Sequence, residues 1–390
     1  MNSQIKNSFL KLQSYLEKLP IDERFKGVDP FDGLNSPIIK NTFLGKSRIV
    51  RLAWVQFFKR NPFNFRKLVG IKKEENPQAL AVFLSSYCKL YETQKSENQL
   101  EIINYLANRI IDLRLIKWSG ACWSYPFAWQ ARAFYQPAST PLIIPTAYCV
   151  NALLDAFDVT QNEEYKNIAL SSADFVLNDL NRSEENNLFA FSYSPLDNSV
   201  VYNASLMASQ VLARCYSYTK NLVYKETAHL SVKYCVNQQK ENGSWTYGKK
   251  PFHQWIDNFH SGYNLTCLAD YIKYCDDHRY DKHIELGLDY YLNQFFDKEG
   301  FSHYFTHNKY PLDLNNPAQL IITLLKMDRL QNNHTLVDNV MNYTIENMQS
   351  KKGWFYYQKN KWFTNRIVYL RWSNAWMFYA FSLLSSNENT

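Results

Sequence analysis

An aromatic element recurs five times along the chain, and it constrains the fold more than any other feature. It reads Trp123-Ser124-Tyr125, Phe191-Ser192-Tyr193, Trp245-Thr246-Tyr247, Ser302-His303-Tyr304 and Trp354-Phe355-Tyr356, at intervals of 52 to 68 residues. Glycine stands shortly before four of the five, at Gly120, Gly243, Gly300 and Gly353, although the chain holds only 11 glycines. Self-similarity at such a period marks a fold of repeated supersecondary units, each unable to bury its apolar face alone. An apolar run follows each element, at 146–157, 203–218, 260–275, 317–327 and 372–384. A sixth run, 76–91, has no such element before it. These runs are apolar nearly all round, as in helices covered on most faces. Between them lie segments with a charged stripe, near 46–60, 97–114, 162–180, 222–239, 281–296 and 334–349.

Six buried helices alternating with six half-exposed ones predict an all-α chain, an (α/α)6 toroid in which an inner ring is wrapped by an outer one. Connections from inner to outer helix are short, such as 92–97 and 160–163. Those from outer to inner helix run to about 15–30 residues, beyond the usual loop length. They hold all five aromatic elements, which read as small β-hairpins on one rim. Residues 1–45 are read as an N-terminal helical or extended arm, and 46–390 as the toroid.

Composition removes several function classes. Hydrophobic residues at 46% and charged ones at 20% belong to a globular chain. Scarce glycine argues against a glycine-rich dinucleotide fold. The seven cysteines include no Cys-x-x-Cys pair, so neither a disulfide framework nor a cysteine zinc site is expected. No metal or cofactor is expected. No apolar run reaches membrane-spanning length, and the first residues lack the apolar core of a secretory signal. The expectation is a cytoplasmic protein, peripheral at most to the inner membrane face.

Charge is uneven. The net charge is +7, yet residues 33–73 hold ten lysines and arginines and no acid, interleaved with Trp54, Phe57, Phe58, Phe63 and Phe65. Two readings fit residues 46–67: peripheral contact with anionic lipid, or an amphipathic helix with a solvated basic face.

Long loops on one rim carry function more often than the scaffold does. That rim also gathers the inner-helix N-termini, whose free N–H groups favour an anionic or hydroxyl-rich ligand. The densest constellation is Trp245-Thr246-Tyr247 followed by 253–263. There Asp257 and His260 stand three apart at a helix start, where a carboxylate can orient an imidazole as general base. Asp257 as a plain N-cap is the alternative. Tyr263 follows as a candidate acid. Trp123, Tyr125, Trp129 and Arg132 form a second group, and Arg371 and Trp372 a third. Arg132 and Arg371 could clamp a carboxylate, or tie loops together by stacking on aromatics. Asn203 stands at an inner-helix start, and Asp313 or Asp197 could pair with Asp257 as the two carboxylates of a glycosidase.

Residues 29–36 (DPFDGLNS), Asn76-Pro77, 124–132 (SYPFAWQAR), 255–265 (WIDNFHSGYNL) and 371–381 (RWSNAWMFYAF) resemble a bacterial and archaeal group associated with surface-polysaccharide biosynthesis. More broadly the chain resembles six-hairpin glycosidases, N-acylglucosamine epimerases, uronate lyases and the helical domain of glucuronyl C5-epimerases. The stretch 201–210 is similar to a segment of those epimerases, with Asn203 where they carry serine. The resemblance implies a carbohydrate-active enzyme working on an acidic or lipid-linked glycan, by proton abstraction next to a uronate carboxylate. His260, Asp257 and Tyr263 would be catalytic; Trp123, Tyr125, Trp129, Arg132, Asn203, Trp245, Tyr247, Asp313, Arg371 and Trp372 would bind substrate. The alternatives are a paired-carboxylate hydrolase and a non-catalytic glycan-binding or scaffold protein. No nucleic-acid partner is expected.

Overall fold

The computed structural model describes residues 1–131 and 135–387. Among them are thirteen helices of twelve residues or more. In chain order the first seven are α1 (Ser3–Glu17), α2 (Arg48–Arg60), α3 (Pro77–Gln94), α4 (Glu97–Asp112), α5 (Ile143–Thr160), α6 (Glu163–Asn178) and α7 (Tyr202–Thr219). The others are α8 (Leu222–Val236), α9 (Asn258–Cys275), α10 (Asp281–Phe295), α11 (Asn315–Lys326), α12 (His334–Met348) and α13 (Ala375–Asn387).

Helices α3, α5, α7, α9, α11 and α13 pack side by side, and α13 returns against α3 to close the ring. These six are the buried runs of the sequence. In α7, for example, fourteen residues from Tyr202 to Cys215 are buried without a break. Helices α4, α6, α8, α10 and α12 wrap the outside with one apolar stripe each, as their periodicity predicts. The architecture is an (α/α)6 toroid. All seven cysteines are buried free thiols within it.

The sixth outer helix differs from expectation. Residues 46–60 do not occupy that place; α1 does, packed against α12 and α13. Phe9 of α1 buries its ring against Phe378 and Phe381 of α13, at 5.3 and 5.5 Å. The first and last segments of the chain thus close the toroid together. Periodicity alone could not assign this, because α1 and α2 are both amphipathic and only one can face α13.

On one rim the inner helices turn directly into outer ones. Lys95, Gln161, Lys220 and Asp276 each end an inner helix in the left-handed conformation, with φ of 50–58°. Asn162 and Asn221 then cap the next helix through their side chains. The opposite rim holds the aromatic elements. Only Phe191 lies in a regular hairpin, Arg182–Glu185 paired with Leu188–Phe191. The expected hairpins at 122, 302 and 355 are reduced to single bridges, such as Leu115 with Cys122 and Gln349 with Phe355.

The recurring glycines have a packing cause. Each lets its loop touch the backbone of the next outer helix. A Cβ on Gly120 would lie 1.9 Å from the carbonyl oxygen of Ser171 in α6, and one on Gly353 would lie 2.2 Å from that of Lys11 in α1. Gly353 also has φ +109°, a region hostile to other residues. Gly353→Ala should therefore lower stability by roughly 1–3 kcal/mol, the scale of core overpacking, read as a drop in denaturant midpoint with an unchanged slope. A midpoint within error of wild type would refute this packing account.

Residues 28–73 leave the ring and cross the aromatic rim as a strap. Its base is clasped by antiparallel pairing of Lys26–Gly27 with Glu74–Glu75. The boundary expected at residue 45 falls inside this strap. Arg66, 1% exposed, donates to the Asp32 carboxylate and the Asp29 carbonyl, both at 2.7 Å. The Trp54 indole donates to the Gly33 carbonyl at 2.9 Å. Helix α2 thus lies over the bowl rather than around it.

Candidate active site

The start of α9 builds the centre of the rim. Asp257 caps the helix, one carboxylate oxygen accepting from the His260 backbone N–H at 3.0 Å. The other accepts from His260 Nδ1 at 2.8 Å. The two sequence readings of Asp257, cap and orienting carboxylate, are both realised. A carboxylate can only accept, so Nδ1 carries a proton in this bond, and in the neutral ring Nε2 keeps its lone pair. No described residue bonds that Nε2. The Asp257 side chain is 1% exposed and that of His260 20%, so the base reaches solvent while its orienter does not.

Aromatic rings wall the imidazole. Tyr247 lies 4.8 Å away and is stacked on Trp255 at 4.3 Å; Phe259 and Tyr263 lie at 4.3 and 5.8 Å. The Tyr263 hydroxyl donates to Asn315 at 3.4 Å, and burial raises its pKa, so the phenol stays protonated.

A π-helical turn, Leu370–Asn374, precedes α13 and aims Trp372 at Asp313. The indole donates to both carboxylate oxygens at 3.1 and 3.2 Å. Gln358 and the Asn315 backbone also donate to Asp313. Burial raises the Asp313 pKa against these hydrogen bonds. Opposite stands Lys59, brought down by α2, its ammonium 4.8 Å above the Phe31 ring. Burial lowers its pKa, opposed by the charges of Asp313 and Asp257. Phe31 in turn meets Trp129 and Trp372 at 6.1 and 5.7 Å. His260 and Lys59 thus lie among these aromatic rings beneath the strap, backed by the inaccessible carboxylates of Asp257 and Asp313.

Several expected binding residues face elsewhere. Trp123 and Trp245 are buried, and their indoles donate to the carbonyls of Ile110 in α4 and Cys235 in α8 at 2.7 and 2.9 Å. They bond carbonyls in the last turns of outer helices and do not line the cleft. Arg371 is not a substrate clamp in this arrangement: Asp29 accepts from it twice, at 2.5 and 2.9 Å, and Tyr125 stacks beneath it. Tyr125 is buried and donates to Gln78 at 3.0 Å. Asp197 holds Ser194 and Ser199 within its own loop. Asn203 is buried at the start of α7, with its Oδ1 unpartnered among the described residues. Trp129 and Tyr247 do face the cleft. Arg132 lies outside the described residues.

A second concavity went unforeseen. The toroid axis holds a cavity of about 520 Å³ between the C-terminal halves of the inner helices, toward the other rim. Tyr263 forms part of its wall. Among the described residues, no helix is long and apolar enough to cross a membrane, and no three metal-ligating side chains cluster.

No protein-family model and no curated protein matches the chain. Solved structures do. Cellobiose 2-epimerase from Bacillus thermoamylovorans B4167 superposes with a TM-score of 0.64 at 14% identity, over 82% of this chain and 90% of that one. An unsaturated glucuronyl hydrolase specific for heparin gives 0.65 at 10% identity, over 99% and 97%. A GH76 α-mannanase of Bacteroides thetaiotaomicron gives 0.61 at 14%, over 81% and 88%. The fold is therefore the six-hairpin, glycosidase-like toroid. At these identities the likeness is one of fold.

Proposed function

We propose that this chain is a carbohydrate-active enzyme acting on an acidic or lipid-linked glycan in bacterial polysaccharide assembly, by proton abstraction next to a uronate carboxylate. The observation that carries the reading is the Asp257–His260 pair, with its Nδ1 bond of 2.8 Å and an Nε2 without a partner among the described residues. His260 Nε2 takes the proton from the carbon bearing the carboxylate, and the C–H electron pair moves into that carboxylate as an enediolate. Lys59 offsets the added charge, the part first expected of Arg132 with Asn203. Tyr263 then returns a proton from the other face, giving the epimer, or the 4-substituent leaves with its electron pair, giving an unsaturated sugar. Aromatic walls supply the platform for sugar rings. The structural likenesses to a sugar epimerase and a glucuronyl hydrolase support a carbohydrate substrate. Incubation of uronate oligosaccharides in D2O should place deuterium at the abstracted position with wild type and not with His260→Ala. Elimination leaves no hydrogen at that carbon and is read instead as the unsaturated sugar; turnover with neither exchange nor unsaturation would favour hydrolysis, for which Asp313, its pKa raised by burial, would be the acid and Asp257 the second carboxylate.

The same reading places the strap against anionic lipid. Its outer face exposes Phe43, Ile49, Phe63 and Leu68 by 69–81% each, beside exposed Lys40, Lys46, Arg60, Lys67 and Lys72. Each near-surface cation is worth about 1 kcal/mol at such a membrane. Insertion of the apolar side chains adds a part that salt does not screen. Sedimentation with phosphatidylserine vesicles should accordingly persist in part at high salt and weaken in Leu68→Ser. Complete release by salt, or no binding at low salt, would remove the membrane from the account.

A further inference from the structure

The axial cavity carries a pattern that the aromatic cleft does not explain. Lys89, Asp155, Arg214 and Asp270 are each the thirteenth residue of an inner helix, α3, α5, α7 and α9; Lys326 is the twelfth of α11. All five line the cavity. Five of the six inner helices therefore place a charge at about this height, as a collar around the axis, alternating in sign from α3 to α11.

The collar is knitted together. Arg214 donates to Asp155 at 2.6 Å and to Asn151 at 2.9 Å. Asp155 also accepts from Ser85 at 2.7 Å. Asp270 accepts from both Gln210 and Lys326. Burial would raise the Asp155 pKa, but the Arg214 guanidinium holds it below the ordinary carboxylate range, so the pair is ionised. Arg214 and Asp270 are only 6% and 5% exposed.

Such a collar is a poor way to hold a barrel together. Desolvating an ion pair costs several kcal/mol, and packed apolar residues of equal volume commonly serve stability better. The inner helices use apolar residues elsewhere, as with Leu153, Leu212 and Leu268, all fully buried. Charged residues facing an open cavity at one fixed height are the mark of a binding site. Toward the cleft, the floor is aromatic: Tyr148 meets Trp376 edge-on at 5.3 Å, and Tyr263 meets Trp376 at 6.1 Å.

We propose that the axial cavity is a second binding site, sharing Tyr263 as a common wall with the aromatic cleft, for a neutral sugar ring. A cavity of about 520 Å³ has the size of a small-ligand pocket. The floor of Trp376, Tyr148 and Tyr263 offers an apolar face to the C–H side of a pyranose. Around its edge, alternating donors and acceptors match hydroxyls, each of which both donates and accepts. Asp155 and Asp270 already neutralise Arg214 and Lys326, and Lys89 pairs with Glu92 at 2.9 Å, so the collar calls for polarity in the ligand rather than net charge.

The test uses the whole chain with glucose, mannose and glucuronate as probes at millimolar concentration, followed by saturation-transfer NMR. Neutral sugars should receive saturation, and at least threefold more than glucuronate. The signal should survive His260→Ala, which alters only the cleft. It should vanish in Ser217→Trp, whose side chain would fill the cavity one turn beyond Arg214. Fluorine NMR of 5-fluorotryptophan-labelled protein gives a second readout should that variant fold poorly: the Trp376 resonance, assigned from Trp376→Phe, should shift on adding glucose. No transfer to neutral sugars and an unmoved Trp376 resonance would overturn the proposal, as would transfer that persists in a folded Ser217→Trp. Loss in His260→Ala alone would assign the sugar to the cleft and likewise overturn it. The cleft chemistry stands or falls separately, on deuterium exchange.

Discussion

Replacing His260 by alanine is expected to cut turnover of a uronate oligosaccharide by about 10²–10⁴-fold, the usual contribution of a positioned general base, while the melting temperature stays near that of wild type. The two effects separate because the imidazole is a fifth exposed and its ring bonds only Asp257 among the described residues. Asp257 supplies the sharper test, since it holds two jobs. Asp257→Ala removes the cap of α9 as well as the orienting carboxylate, and should cost about 1 kcal/mol of stability on top of the activity loss. Asp257→Asn keeps a good cap but can present N–H₂ to Nδ1, which turns the proton toward Nε2 and blocks the base. A folded, inactive Asp257→Asn would tie the loss to the tautomer rather than to the helix. Full activity in either His260→Ala or Asp257→Asn would leave the cleft as a binding surface without this chemistry.

What the sequence could disclose follows the range of the interactions involved. The inner helices and the Asp257–His260 pair rest on local patterns: an apolar run, or two residues one turn apart at a helix start. Those were legible. Trp123 and Trp245 misled because the same aromatic-after-glycine pattern serves the packing of a loop on an outer helix, and orientation is set by the acceptor carbonyl thirteen or ten residues upstream. Lys59 was illegible for another reason. It belongs to a basic run whose members are mostly exposed, apart from Arg66, which is buried on Asp32, and only the path of the strap turns Lys59 toward Asp313. The axial collar was present as a register, position thirteen in successive inner helices, but each charge taken alone looked like the fraying polar end of a buried helix. Aligning the repeats on their helix starts, rather than on the aromatic element, would have exposed it.

Arg371 and Asp29 connect these levels, and breaking the pair is expected to give the largest stability change in the molecule. The two are 342 positions apart in sequence. One lies in the π-turn before α13 and the other at the root of the strap, and both are nearly inaccessible, at 5% and 7% side-chain exposure. Burial works against the charge on Arg371, but the Asp29 carboxylate raises its pKa overall, so the guanidinium stays charged. Arg371→Met alone should cost roughly 3–5 kcal/mol, because it strands the Asp29 carboxylate without water. Replacing both, as Asp29→Leu with Arg371→Met, should recover much of that loss, since neither partner of the pair is then left as a buried unpaired charge. The functional consequence follows from what the strap carries. Lys59 and Phe31 reach the cleft only while residues 28–73 lie over the rim, so the single variant should lose activity and become open to proteolysis between 40 and 73. The double variant should regain protection of that segment if apolar packing of Phe31 on Trp129 and Trp372 is enough to seat it. A single variant as stable and as protease-resistant as wild type would mean that Arg66 with Asp32 holds the strap unaided.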